Sequence, residues 1–136
     1  LGVIAEIAVF FWMSHLFRKY AIRSLIIISI LLTILRWMMI GFMADSFTIL
    51  FIAQLLHAAS FGLFHAAAIY LIDHYFTGKH HGKGQAIFAA SSHGLGGAVG
   101  MFMAGYSWTA GGANLAYGIS AIMVLIALFI ALKWIK

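Results

Sequence analysis

Apolar residues in this chain arrive in blocks of about twenty, separated by short runs of charge, glycine or an Asp-Ser pair, and that block length is the strongest constraint on its fold. A bilayer core of ~30 Å takes about 20 apolar residues per helix, so blocks of this length predict membrane-spanning helices. Five are legible, at about 1–17, 24–44, 47–73, 85–108 and 114–132. The residues are 65% hydrophobic and 8% charged, whereas soluble domains carry about 25% charged residues. A membrane barrel would instead alternate apolar and polar residues over segments of about ten. The expected fold class is an all-α integral membrane protein of about five transmembrane helices.

The breaks between blocks are short. Arg18-Lys19-Tyr20 with Arg23 closes the first, and Asp45-Ser46 is a tight turn that offers an N-cap to the third helix. The run Gly78-Lys79-His80-His81-Gly82-Lys83-Gly84 is the longest connection, and Gly111-Gly112-Ala113-Asn114 makes the last turn. Connections this short force neighbouring helices to run antiparallel. With the spans alternating, Arg18, Lys19, Arg23, Lys79, Lys83, Lys133 and Lys136 fall on one side, and Asp45 and Asn114 on the other. Cytoplasmic loops collect Lys and Arg, so the basic side is expected in the cytoplasm together with the C-terminus, in a multi-pass protein of the inner or plasma membrane. The net charge of +5 is then a consequence of topology, and no nucleic-acid partner is expected. The lipid bilayer is.

Without cysteine there is neither a disulfide framework nor thiolate chemistry. Residues 1–17 start directly in an apolar block with Glu6 at its middle, lacking the basic start and small-residue cleavage site of a secretory signal. The simplest reading is a fragment cut inside its first helix, the whole chain being part of a transmembrane half-domain.

Lipid is as apolar as leucine, so membrane helices associate through close backbone approach. Ala58, Gly62 and Ala66 recur every four residues on the third span; Ser92, Gly96, Gly100 and Ala104 do so on the fourth. Gly62, Gly96 and Gly100 are therefore candidate packing positions. Two readings stay open for the fourth span: ordinary packing, or a helix that slides or bends. The chain contains no proline to kink any span.

An ionisable side chain near the bilayer centre costs on the order of 2.5–3.5 kcal/mol on insertion scales, so it faces a cavity or partner and marks function. Glu6, Arg36, His57 and His93 each lie 10–13 residues from a span end, or about 15–20 Å of helical rise, which predicts one midplane group on each of the first four spans. Glu6 and Arg36 could also be a structural ion pair. Gln54 and His65 share an arc of the third helix with His57, and Ser60 flanks it, a polar stripe that suits a water-lined cavity. His93, in Ser91-Ser92-His93-Gly94, suits a ligand contact or a structural hydrogen bond equally. His15, His74, His80 and His81 are expected at the cytoplasmic surface, and Asp73 is expected to pair with loop charges. The histidine spacings match no zinc motif, and there is no nucleophile elbow, P-loop or pair of catalytic carboxylates. An enzyme is not expected, nor a metal or cofactor.

The run Ser14-His15-Leu16-Phe17-Arg18-Lys19 with Arg23, then Leu35-Arg36-Trp37, then Leu55-Leu56-His57 followed by Ser60-Phe61 and His65, resembles the phenylpropionate-permease-like, lactose-permease-related branch of the major facilitator superfamily. The glycine-rich stretch from Gly96 to Gly105 agrees with it. The resemblance covers essentially the whole chain, which would correspond to helices eight to twelve of a twelve-helix protein, with the N-terminal half of the same transporter as its missing partner. It implies a proton-coupled symporter of a small organic solute, working by alternating access around a midplane cavity. Arg36 and His57 match an arginine and a histidine that the lactose-transporting relative uses in proton coupling and substrate binding. Ser60 stands where that relative has a carboxylate, so its relay and its sugar substrate do not carry over. Glu6, aligned only loosely with an acidic residue of the relative, is assigned the proton, with Arg36 biasing its protonation. Arg36 and the histidines suit an organic anion such as an aromatic carboxylate. Two rivals remain at this level: an accessory membrane subunit that works by association, and a haem-binding subunit with two of His57, His65 and His93 as axial ligands.

Overall fold

The computed structural model describes residues 11–12 and 15–135. After a helical piece at 15–19, helix α1 runs over Ile22–Met43 and α2 over Phe47–Tyr75. A 3₁₀ turn at Gly78–His80 leads into α3 (His81–Ala89), a π-helical segment (Ala90–Gly96) and α4 (Gly97–Trp134). The described residues contain no strand. Three helical stretches among them are long and apolar enough to cross a membrane: Ile22–Met43, Phe47–Tyr75 and the 57 residues of Gly78–Trp134.

This count differs from the five blocks for two reasons. Twelve of the seventeen residues of the first block lie outside the described residues, and the last two blocks are joined by helical backbone. Fifty-seven residues of straight helix would measure about 85 Å, far more than one bilayer. The stretch is broken where the sequence places its last turn, at Gly111 (φ −153°, ψ 18°) and Gly112 (φ 68°, ψ −160°). The positive φ at Gly112 is open to glycine at little steric cost. Residues 97–110 and 113–134 then lie side by side: Trp108 meets Tyr117 edge-on at 6.3 Å, and Met103 and Ser107 share a cleft with Ala116 and Ser120.

Two further junctions depart from expectation. Ser46 occupies the N-cap position of α2, but its side chain makes no capping bond. The glycine-rich run 78–84 is a loop for only half its length, because α3 already begins at His81. Asp73 near the end of α2 holds that start in place: it pairs with His81 at 3.2 Å and accepts a hydrogen bond from Gln85 at 3.2 Å, while Gln85 and His81 are themselves 3.0 Å apart. The expected pairing of Asp73 with the loop is met by His81, which is thus engaged as well as solvated.

Packing is built on small residues. Ala53, Ala58, Ser60, Gly62 and Ala67 are buried on α2 together with Leu63, and Ser29 and Gly41 are buried on α1. Ile26 and Ile30 of α1, Ala67 of α2 and Ala131 of α4 form the main core cluster, and Leu25 with Leu63 forms a second, touched by Leu16 and Phe17. Gly41 lies against Tyr117 so closely that an added Cβ would sit 2.9 Å from the tyrosine Cβ. Ile26 beside Ala131 at one end and Gly41 beside Tyr117 at the other make α1 and residues 113–134 antiparallel. At the first end the Arg23 guanidinium donates to the Leu132 carbonyl at 3.0 Å, a cation on the free carbonyls of a helix terminus. Most large apolar side chains point outward, with Phe129 68% and Ile122 57% exposed, a surface suited to lipid rather than water.

Candidate functional site

A cleft of about 320 Å³ opens between α1, α2, the α3–π segment and the C-terminal part of α4. That volume falls within the range of small-molecule pockets. Arg36 and Thr33 come from α1, His57, Ser60, Phe61, Phe64 and His65 from α2, and Phe88, Ser92 and His93 from the segment beyond. Helical spacing explains the convergence: Thr33 and Arg36 are three apart, and 57, 60, 61, 64 and 65 follow the i, i+3, i+4, i+7, i+8 pattern of a single face.

At one end, the Arg36 guanidinium donates a hydrogen bond to Nδ1 of His57. Arginine has donors only, so Nδ1 must supply its lone pair, and the ring proton of the neutral imidazole sits on Nε2. The Arg36 side chain also lies 4.2 Å from the centre of the Trp37 ring, which stacks on Tyr117 at 5.5 Å. Its Nε is buried with no hydrogen-bond partner among the described residues. The guanidinium is thus held in place with part of its bonding capacity unused.

From there a column of rings runs along α2. His57 stacks on Phe61 at 5.5 Å and Phe61 on His65 at 5.8 Å; His65 stacks on His93 at 5.9 Å, and Phe88 packs against both of those histidines. The column places His93 beside His65, and eight residues, about 12 Å of rise, separate His65 from His57 on α2. A single shared depth was expected from counting inward from span ends. That count misleads because α2 has 29 residues, more than one bilayer requires, so its two ends give different midpoints.

Of the other sequence candidates, Ser60 lines the cleft while its hydroxyl donates to the His57 carbonyl at 3.3 Å. Gln54 is exposed and does not line it. Gly62 is buried at the α2 interface, whereas Gly96 and Gly100 are exposed, and a Cβ at Gly100 would meet nothing within 4 Å. Glu6 lies outside the described residues. Thr33, Phe64 and Phe88 were not singled out from sequence, while Phe61 entered only in the run that carries the resemblance and Ser92 only in a small-residue repeat. For all but Ser92 and Phe88 the signal was available, in the three-, four- and seven-residue spacing from Arg36 or His57.

The π segment is what the sequence concealed. Gly97 N–H bonds to the Ser92 carbonyl five residues back, a widened turn that commonly marks functional sites in helices. Widening changes the angular position of every residue before it, so a regular helical wheel cannot place His93. His65 and His93 meet by their ring faces, not with nitrogens opposed across a gap as a bis-histidine iron site requires. Among the described residues no group of three or more His, Cys, Asp or Glu could hold a metal ion.

Comparison with known proteins accords with this architecture. The MFS_1-like family model matches residues 1–119. The probable 3-phenylpropionic acid transporter of Escherichia coli (strain K12) is 30% identical over 128 residues, which cover 94% of this chain and 32% of the relative. The chain therefore spans about a third of the length of that curated relative. No solved structure matches it. The chain belongs to the MFS_1-like family, in the phenylpropionate-permease-like part of the major facilitator superfamily.

Proposed function

We propose that this chain is the C-terminal part of a secondary transporter, a proton-coupled symporter that moves a small aromatic carboxylate by alternating access. The observation that carries the reading is the cleft itself: a guanidinium with unused donor capacity at one end of a wall of aromatic rings. Arginine pairs with carboxylates through two parallel hydrogen bonds, and Phe61, Phe64 and Phe88 offer faces and edges for a substrate ring. The family and the transporter relative support transport as the activity, and the relative's phenylpropionic acid has the chemistry the cleft would accept.

The Arg36–His57 contact offers a link between proton and solute. Protonation of His57 fills the Nδ1 lone pair, ends the hydrogen bond and leaves Arg36 available for a carboxylate. Glu6 is the proton carrier of this scheme, and loss of the proton from the cleft would restore the Arg36–His57 bond and release the anion. The scheme includes five crossings, the last two being the arms on either side of Gly111-Gly112, and cytoplasmic placement of the basic end in the inner membrane. The remaining wall of the cavity belongs to an N-terminal half of the same transporter.

The test is uptake of labelled 3-phenylpropionate into proteoliposomes containing the complete transporter. An imposed inward proton gradient is expected to drive accumulation, and both a protonophore and Glu6→Gln to abolish it. Accumulation indifferent to the gradient and to Glu6→Gln would overturn proton coupling, and no saturable uptake of the acid would overturn the substrate class.

A further inference from the structure

The far end of the cleft holds two imidazoles that the carboxylate reading leaves unused. His65 of α2 and His93 of the π segment both line it, stacked at 5.9 Å, with Phe61 and Phe88 packed around them. Among the described residues neither imidazole makes a hydrogen bond; their contacts are with rings. Each ring carries one N–H donor and one acceptor nitrogen when neutral. His65 is half-buried and His93 is exposed on the cleft side of the bundle, and a histidine within a membrane span marks a pathway or a ligand. Two such groups, brought from separate elements to one wall and without a hydrogen bond among the described residues, point to something that enters the cleft.

We propose that His65 and His93 form a distal recognition site that reads a hydroxyl on the ring of the solute, making hydroxylated one-ring carboxylates the preferred substrates. This rests on the aromatic-carboxylate reading of the same cleft and specifies it. Length supports it. A one-ring acid with a two-carbon arm reaches roughly 9 Å from carboxylate to a para substituent, given C–C bonds of about 1.5 Å. Hydrogen bonds of about 2.8 Å at the two ends bring the total into the range set by the axial offset of about 12 Å between His57 and His65 and the lateral reach of their side chains. With the carboxylate on Arg36, the ring lies along Phe61 and Phe64, and its far edge meets the imidazoles. A phenolic hydroxyl can donate to one ring and accept from the other. Without such partners, a hydroxyl pressed against Phe88 and Phe61 would lose its water uncompensated and be disfavoured.

The test is competition in proteoliposomes of the complete transporter. Uptake of labelled 3-phenylpropionate is inhibited by unlabelled 3-phenylpropionate or by its 3-hydroxy and 4-hydroxy counterparts, and the ratio of inhibition constants is read. The wild-type protein is expected to favour at least one hydroxylated acid by about 5- to 10-fold, the value of one or two well-placed hydrogen bonds. His65→Phe and His93→Phe, which keep a ring in place, are each expected to bring that ratio to about one or below. A wild-type ratio of one or less overturns the proposal, as does a preference that survives in whichever variant folds. The reading beneath it fails separately, through absence of saturable uptake of either class of acid, and the proposal falls with it.

Discussion

An arginine that hydrogen-bonds to an imidazole nitrogen dictates the protonation state of that histidine, and at Arg36 and His57 this makes a local contact sensitive to pH. Charge alone does not explain the arrangement, because the fork of the guanidinium is shared between His57 and the cleft. Arg36→Lys keeps the charge and loses the fork. Its expected outcome is a rise of about 10-fold or more in the KM for the carboxylate, with membrane insertion unchanged, read by uptake kinetics beside the amount of protein in the bilayer. His57→Phe preserves the stack on Phe61 and removes the acceptor. Uptake by that variant is expected to lose most of its pH dependence, because no imidazole remains at position 57 to take up a proton; a retained pH profile would leave Glu6 to carry the coupling without His57. Both residues were legible in the sequence because an ionisable group inside an apolar block is costly. Their direct contact was not legible, since it depends on the rotation of α1 against α2 about buried small residues, among them Ser29, Ala58 and Ser60.

Glycines of one short stretch behave differently once the helices are assembled. A Cβ at Gly84 would lie 2.5 Å from Cγ of Phe76, while a Cβ at Gly82 would meet nothing within 4 Å. Both sit in α3. Gly84→Ala must displace Phe76 and is expected to destabilise by about 1–3 kcal/mol, the range of overpacking, with partial rescue in a Gly84→Ala, Phe76→Ala double variant. Gly82→Ala lacks that clash and gains helix propensity, so a neutral result or a stabilisation of about 0.5–1 kcal/mol is expected. Thermal unfolding in detergent, with the two single variants side by side, distinguishes them. At Gly41 the obstructing atom is the Tyr117 Cβ, fixed to the backbone of a neighbouring helix. Gly41→Ala must therefore push α1 away from residues 113–134, and its cost is expected to exceed that of a clash with a flexible side-chain end.

Across the whole molecule, the ends of the bundle separate by chemistry. Arg23 bonds to the Leu132 carbonyl, next to Lys133, at one end, while the Gly41–Tyr117 contact lies toward Asp45 and Asn114 at the other. The absence of cysteine from the sequence permits a direct test of sidedness. In intact cells expressing the complete transporter with its other cysteines removed, Asn114→Cys is expected to react with a membrane-impermeant maleimide and Lys79→Cys only after permeabilisation. The reverse pattern would invert the topology, and labelling of both from outside would defeat the alternation of spans.

Hydropathy and short connections by themselves determined that this chain is helical, apolar enough for a bilayer and broken at Asp45-Ser46 and Gly111-Gly112, because insertion into lipid depends on block length and local backbone chemistry. They also identified Arg36, His57 and His93 as residues out of place. Tertiary structure alone decided what those residues do for one another. The stripe of Ala58 and Gly62 is buried, while the similar stripe at Gly96 and Gly100 is exposed, although both have the same spacing. Asp73, His81 and Gln85 turn half of a glycine-rich run into helix. The widened turn at Ala90–Gly96 sets His93 on His65. Each depends on the rotation of one helix about its axis relative to its neighbour, and a pattern of apolar residues on nearly every face of a membrane helix does not specify that angle.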